Sequence, residues 1–320
     1  MKKPLNITDK QAGAQGMEKI HRLAEEFNIS AETVSGILRL LPCQSMPHII
    51  DNAAPMKKGK TAYGVGEWAT NIVNFQTGCE KNCKYCYAKS MAVRHHRSTP
   101  ESWTTPRPQT KNIEKGYGKR KGTVMMPTSH DITPRNVDTY LIVIKKLLAA
   151  GNKVLIVSKP VLSCIKTLCK ELQPYKKQIL FRFTIGSADN KVLRYWEPNA
   201  SRFEERLASL KYAYDQGFAT SVSSEPMLDL DIDKVIEATR PYVTDSIWLG
   251  RVNSLRQAIS QNCPGDVDAK NRANELLRGQ TNDFLRELYE RFKNDPIIKY
   301  KDSMKKAVGL ELHTEKGLDI

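Results

Sequence analysis

With 320 residues, seven cysteines and a formal net charge of +15, the chain can bury a barrel-sized core and is too sparsely cross-linked to be a disulfide scaffold. The opening stretch MKKPLNITDKQAGAQG has no apolar run, and no segment of about 20 apolar residues follows, which excludes a secretory leader and a membrane span from the expected organisation. A cytoplasmic, reducing setting is expected, and the excess of positive charge points to a polyanionic partner.

Residues 1–60 read as a helical lead-in. In MEKIHRLAEEFNISAETVSGILRLL, apolar residues recur at helical spacing on either side of a break at Asn28–Ile29–Ser30. Ser30 is the N-cap of the second helix, with Glu32 in its first turn. The pattern is similar to a helix-turn-helix with Val34 and Ile37 facing inward, but a plain αα-hairpin is the preferred reading. Residues 61–260 alternate. Apolar or β-branched runs at 71–76, 123–127, 153–158, 179–185, 219–224 and 245–250 are separated by helical stretches near 87–97, 137–150, 161–173, 203–217 and 231–241. Six strand–helix units in series predict an α/β domain with a parallel sheet and helices outside it. Residues 261–320 are expected as a helical extension, with one charged amphipathic helix over 266–293 and a tail after Asp295 packed outside the sheet.

In such a sheet, ligands sit at the carboxyl ends of the strands, where this chain places polar residues. Ser129 and Asp131 follow the second run, Lys159 the third, Thr184 ends the fourth, Glu225 follows the fifth, and Arg251 follows the sixth. Asp131 and Glu225 can position a ligand or cap the helices that follow them. Lys159 can meet a carboxylate or snorkel at the sheet edge.

The loop after the first run carries the chemistry. In TGCEKNCKYCYAK, Cys79, Cys83 and Cys86 stand in C-x3-C-x2-C spacing. Three thiolates on one short loop can ligate three irons of a 4Fe–4S cubane and leave the fourth open to a small molecule such as S-adenosylmethionine (SAM). Zinc with His95 or His96 as fourth ligand, or ordinary reduced thiols, are the alternatives. Tyr85 favours the cluster, because C-x3-C-x-aromatic-C resembles the defining motif of the radical SAM superfamily. That resemblance implies a partial (β/α)6 barrel, SAM as cofactor, adenine near Tyr85 and an external one-electron reductant. The remaining cysteines, Cys43, Cys164, Cys169 and Cys263, read as packing residues.

A second resemblance lies in FRFTIGSADNKVLRYWEPNASRFEERL and, more weakly, in KDSMKKAVGL. Both are similar to the spore photoproduct lyase and DNA repair photolyase-like branch, over roughly residues 70–260 and the tail. The resemblance implies that Ser129, Lys159 and Thr184 contact SAM. One departure stands out: Pro127 occupies the place where that branch has a hydrogen-donating cysteine.

Between Glu80 and Lys121, eleven Lys and Arg face three acids, an electrostatic pattern suited to nucleic acid or to a solvated surface. Lys119, Arg120 and Lys121 are expected to reach the strand-end rim, with Tyr117 placed to stack on a base. The expected activity is radical SAM chemistry on a nucleobase or nucleic acid. A peptide-modifying radical enzyme and a non-enzymatic, zinc-stabilised nucleic-acid-binding protein are the rivals.

Overall fold

The computed structural model describes residue 62 and residues 64–319; the lead-in over 1–60 and its helix-turn-helix-like pattern lie outside them. Seven strands form one sheet in the order β1 (Asn71–Ile72), β4 (Thr123–Met126), β5 (Lys153–Ser158), β6 (Ile179–Thr184), β7 (Ala219–Ser224), β8 (Ile247–Leu249) and β9 (Ile298–Tyr300). Every neighbouring pair is parallel. A separate antiparallel hairpin joins β2 (Gln76–Thr77) to β3 (Arg107–Pro108). The seven-stranded sheet is open, with β1 and β9 as its edges.

Residues alternate between the two faces, as strand geometry requires. Val124, Met126, Ile156, Phe181, Phe183 and Val222 face the outer helices. Met125, Leu155 and Trp248 face inward, where Trp68 packs on them. Helices Val137–Ala149, Leu162–Leu172, Phe203–Asp215 and Ile232–Thr239 follow β4, β5, β6 and β7. Leu162–Leu172 buries Cys164, Ile165, Leu168, Cys169 and Leu172, so both cysteines pack in the core although they stand five residues apart.

Several elements differ from the sequence reading, among them a short helix, Asn190–Trp196, between β6 and Phe203–Asp215 that it did not give. The run 71–76 is split: Asn71–Ile72 pairs in the sheet while Gln76 leaves it for the hairpin. The charged stretch 266–293 forms two helices, Val267–Gly279 and Asn282–Phe292. Between them Gln280 is pulled inward, donating to Met227 O at 2.9 Å and accepting from Val252 N at 3.3 Å, and Thr281 caps the second helix. The tail after Asp295 does not stay outside, because Ile298–Tyr300 adds the seventh strand beside β8. Its three residues are too short a run for periodicity to register.

The basic loop before β4 lies at the wrong end for the role expected of it. Arg120 N donates to Asn152 Oδ1 (2.8 Å), and Lys121 O accepts from Thr70 Oγ1 and Asn71 Nδ2 (each 2.8 Å). These partners precede or begin β5 and β1, so Lys119–Lys121 sit at the amino end of the sheet. Tyr117 is buried with its hydroxyl on Asn112 O and has no face free for a base.

One buried lysine ties the two sheet edges. Lys301, just after β9, donates to Gly64 O at 2.7 Å, lies 3.5 Å from Glu67 and 3.4 Å from Glu225, and sits over the Trp68 ring. Burial pushes the Glu67 carboxyl up from 4.5 to about 7, with Lys301 opposing it; Glu225 is raised for the same reason. A carboxyl whose folded pKa exceeds its unfolded one stabilises the protein only while protonated, so stability should fall as pH rises from 4.5 to 7 and level off above. Glu67→Gln should flatten that decline by about 3 kcal/mol, read by urea unfolding on both sides of the window. An unchanged profile would mean that Glu67 does not titrate there.

Candidate active site

The loop between β2 and the helix Tyr87–Arg94 is clamped on several sides. Gly78 has φ 91°, and a Cβ there would lie 2.7 Å from Trp103 O, so only glycine lets the chain pass. Cys79 N donates to Trp103 O and Lys84 N to Trp196 O (each 2.9 Å). The Asn262 amide donates to Lys84 O (2.8 Å) and Cys86 O (2.9 Å). Cys86 is the N-cap of the helix, its sulfur accepting from Lys89 N at 3.4 Å.

Burial pushes all three thiols up, Cys79 to about 12 and Cys83 well above its ordinary value; the Lys159 ammonium opposes this at Cys83 and Cys86. Buried thiols become thiolates when a metal supplies the compensating charge, and the backbone of Asp131 and Lys81 partly offsets burial in favour of the Cys79 thiolate. Among the described residues no three His, Cys, Asp or Glu side chains are grouped to hold a single metal ion. A cubane places one thiolate on each of three separate irons and does not ask for that convergence. The zinc reading also loses its fourth ligand: His95 is the C-cap of the helix that Cys86 begins, roughly 13 Å away at about 1.5 Å per residue. His96 is exposed beside it.

Lys159 is turned inward rather than snorkelling. Its side chain is 13% exposed and its Nζ lies 3.5 Å from Asp131 Oδ2 and 5.8 Å from the Tyr85 ring centre. Asp131 also accepts from Lys159 N (2.7 Å) and Ser158 Oγ (3.1 Å), joining the ends of β4 and β5 instead of capping a helix. The ammonium holds the Asp131 carboxyl below its ordinary value against the effect of burial. Glu225 likewise caps nothing; its partner is Lys301.

Tyr85 and Thr184 are linked by residues to which the sequence reading gave no role. The Tyr85 hydroxyl donates to Glu197, whose other oxygen pairs with Arg206; neither side chain of that ion pair is exposed. Arg206 in turn donates to Thr184 O (3.1 Å) and Ser201 O (2.9 Å). Glu197 and Arg206 belong to the WEPNASRFEER run, so their signal was present as a resemblance but carried no partner. Ser129 is held from another side, where Asn74 Oδ1 accepts from Thr128 N (2.8 Å) and Ser129 N (3.2 Å). Next to it His130 is buried against Phe75, its Nε2 without a partner among the described residues. Burial lowers its pKa to about 4, so the ring is neutral. Nothing in the spacing of Asn74 marked it. Tyr85, Lys159 and Thr184 thus share one connected side of the rim, while Ser129 lies beside Asn74 and the start of the cysteine helix.

A family model for the radical SAM superfamily matches residues 73–240. The chain belongs to the radical SAM superfamily. The uncharacterized protein ORF301 of Acidianus two-tailed virus is 30% identical over 193 residues, 54% of this chain and 62% of that protein. The chain therefore spans less than two thirds of ORF301. The uncharacterized protein MJ0683 of Methanocaldococcus jannaschii is 22% identical over 204 residues, covering 61% of this chain and 77% of that protein. Among solved structures, a spore photoproduct lyase complexed with dinucleoside spore photoproduct superposes with a TM-score of 0.50 at 16% identity, over 76% of this chain and 79% of that one. That likeness is one of fold. Radical SAM enzymes work with SAM and an iron–sulfur cluster, and the cysteine loop lies inside the matched segment. No helix among the described residues is long and apolar enough to cross a membrane.

The Glu197–Arg206 pair makes a direct prediction. Glu197→Ala leaves a buried guanidinium uncompensated and should cost about 3–5 kcal/mol in urea unfolding. Glu197→Met combined with Arg206→Met should recover most of it. Equal losses in the single and double variants would mean that the pair contributes packing rather than charge balance.

Proposed function

We propose that Cys79, Cys83 and Cys86 hold a 4Fe–4S cluster, that Tyr85, Ser129, Lys159 and Thr184 position SAM beside it, and that the substrate is a nucleobase or nucleic acid. The observation that carries this reading is three thiols on one clamped loop, Cys79 and Cys83 buried and Cys86 half-buried, at the carboxyl ends of a parallel sheet. The chemistry such a site would supply is one-electron reduction of SAM by an external reductant, which breaks the C5′–S bond, releases methionine and leaves a 5′-deoxyadenosyl radical that takes a hydrogen atom from the substrate. The chain's own groups prepare the ground. Asp131 fixes the Lys159 ammonium, which offers positive charge for a carboxylate and toward the thiolates. Glu197 and Arg206 hold Tyr85 against the loop, and the Asn74 amide fixes the backbone at Ser129. Pro127 is buried where the lyase branch has a cysteine, and Cys164 and Cys169 are enclosed in a core helix. The lyase's way of returning hydrogen is therefore not part of the proposal. The net charge and the dinucleoside held by the lyase of shared fold support the substrate class.

Anaerobic reconstitution should load about four irons per chain with matching sulfide, and Cys83→Ala should abolish loading. Stoichiometric zinc without sulfide would overturn the reading. Lys159 is best tested where its partner is already neutral: adding Lys159→Ala to Asp131→Asn should weaken SAM binding roughly tenfold to a hundredfold, the worth of about 1.5–3 kcal/mol for a charge-assisted contact, with iron content unchanged. Equal affinity in the single and double variants would remove Lys159 from the SAM site.

A further inference from the structure

A cleft of about 770 Å3 opens beside the cysteine loop, within the size range of ligand sites. On one side stands the helix Tyr87–Arg94, and on the other the β2–β3 hairpin; edge strand β1 and Ser129 also line it. Tyr87 and Met91 stand four residues apart, on one helix face. They are 56% and 41% exposed, and Ile72 of β1 is 54% exposed. Large apolar side chains left this open, gathered in one cleft, mark a binding surface.

The cleft's polar character is one-sided. Arg97 and Arg107 line it, and no Asp or Glu does. Neither arginine has a carboxylate partner among the described residues; their contacts are Met91 O at 3.5 Å and Ser98 Oγ at 3.4 Å. The amides in the walls are already hydrogen-bonded to neighbouring protein groups. Asn74 holds Thr128 and Ser129, and Gln109 joins Thr77 to Asn112. A ligand therefore meets an aromatic ring, apolar side chains and two guanidinium groups that no carboxylate neutralises among the described residues, with few side-chain amides left to read hydrogen-bonding edges.

We propose that this cleft binds single-stranded nucleic acid, with one base on the Tyr87 ring near Ile72 and Met91 and flanking phosphates at Arg97 and Arg107. Sequence-tolerant strands are held in this way, by stacking and backbone charge rather than base readout. A base inside a duplex is stacked on both faces and would have to be extruded first. The proposal deepens the reading of the site as a radical SAM centre, since Ser129 lines the same cleft and Tyr87 follows Cys86, but strand binding itself does not depend on that reading. It also moves the phosphate contacts away from Lys119–Lys121 at the far end of the sheet.

The test is fluorescence anisotropy of a labelled oligothymidylate with the full chain, titrated across salt concentrations. Arg97→Glu combined with Arg107→Glu should reduce the log–log salt slope by about 1.4, at about 0.7 per contact for a single strand. Tyr87→Ala should weaken binding roughly tenfold to a hundredfold, and Tyr87→Phe, which keeps the ring, should restore it. Lys119→Glu combined with Lys121→Glu should bind as wild type. Thermal unfolding of each variant shows whether a loss is one of fold. The proposal falls if the cleft variants bind as wild type, if the Lys119 and Lys121 variant loses binding, or if blunt duplex or polyglutamate binds as tightly as the single strand. Failure of strand binding in protein that holds four irons and SAM would refute the cleft alone. Strand binding in protein that takes up no cluster would support the cleft and refute the radical reading.

Discussion

The constraint on which the rest depends is the uniform direction of the sheet. Because all neighbouring strands run parallel, every carboxyl end points the same way, and every residue that follows a strand is delivered to one rim. A single antiparallel strand in the middle would send its following residues to the opposite end. Ser129, Lys159 and Thr184 follow or end three successive strands and need no further device to share a side; the cysteine loop follows β2, which has left the sheet to pair with β3. The price is that parallel strands demand long crossovers, and the helices that supply them also cover the sheet's outer face.

What sharpens the rim is a set of buried charges. Lys159 with Asp131 and Lys301 with Glu67 and Glu225 join separate segments, and Arg206 with Glu197, close in sequence, reaches the distant Tyr85 through the Glu197 carboxylate. Such pairs contribute little net stability over apolar packing, because desolvation offsets most of the attraction, but breaking one leaves a charge stranded. Their effect here is geometric. An unexposed guanidinium fixed by Glu197, Ser201 O and Thr184 O cannot drift, so the Tyr85 ring is fixed with it. The Glu67 carboxyl is raised chiefly by burial, with Lys301 opposing the rise and Glu225 adding to it.

The positive charge that first pointed to a polyanion is spread less simply than its sequence window suggests. Lys81 and Lys89 are buried near the cysteine loop, Lys84 is paired with Asp266, and Lys119–Lys121 turn to the amino end of the sheet. Arg97 and Arg107, ten residues apart in sequence, face the rim-side cleft. Net charge over a window measures how many cations a segment carries; which of them face a ligand depends on where the chain turns.

Several features were determined by sequence alone, because they rest on local periodicity or spacing. The alternation of short apolar runs with helical stretches located β4 to β8 and the helices Val137–Ala149, Leu162–Leu172, Phe203–Asp215 and Ile232–Thr239 to within a few residues, but not the short helix Asn190–Trp196. The C-x3-C-x2-C spacing with Tyr85 singled out the loop that lies within the matched family segment. The tertiary structure decided the rest. The strand Ile298–Tyr300 is too short to have a period and exists because β8 offers an unpaired edge. Gln280 breaks the long helix because two backbone groups elsewhere, Met227 O and Val252 N, need partners. Asn74, Glu197 and Arg206 act through residues between about 20 and 110 positions away. Lys119–Lys121 went to the wrong end because adjacency in sequence does not tell which end of a strand a loop occupies. Local rules carry elements and motifs; partners, edges and ends are long-range choices made only when the sheet is assembled.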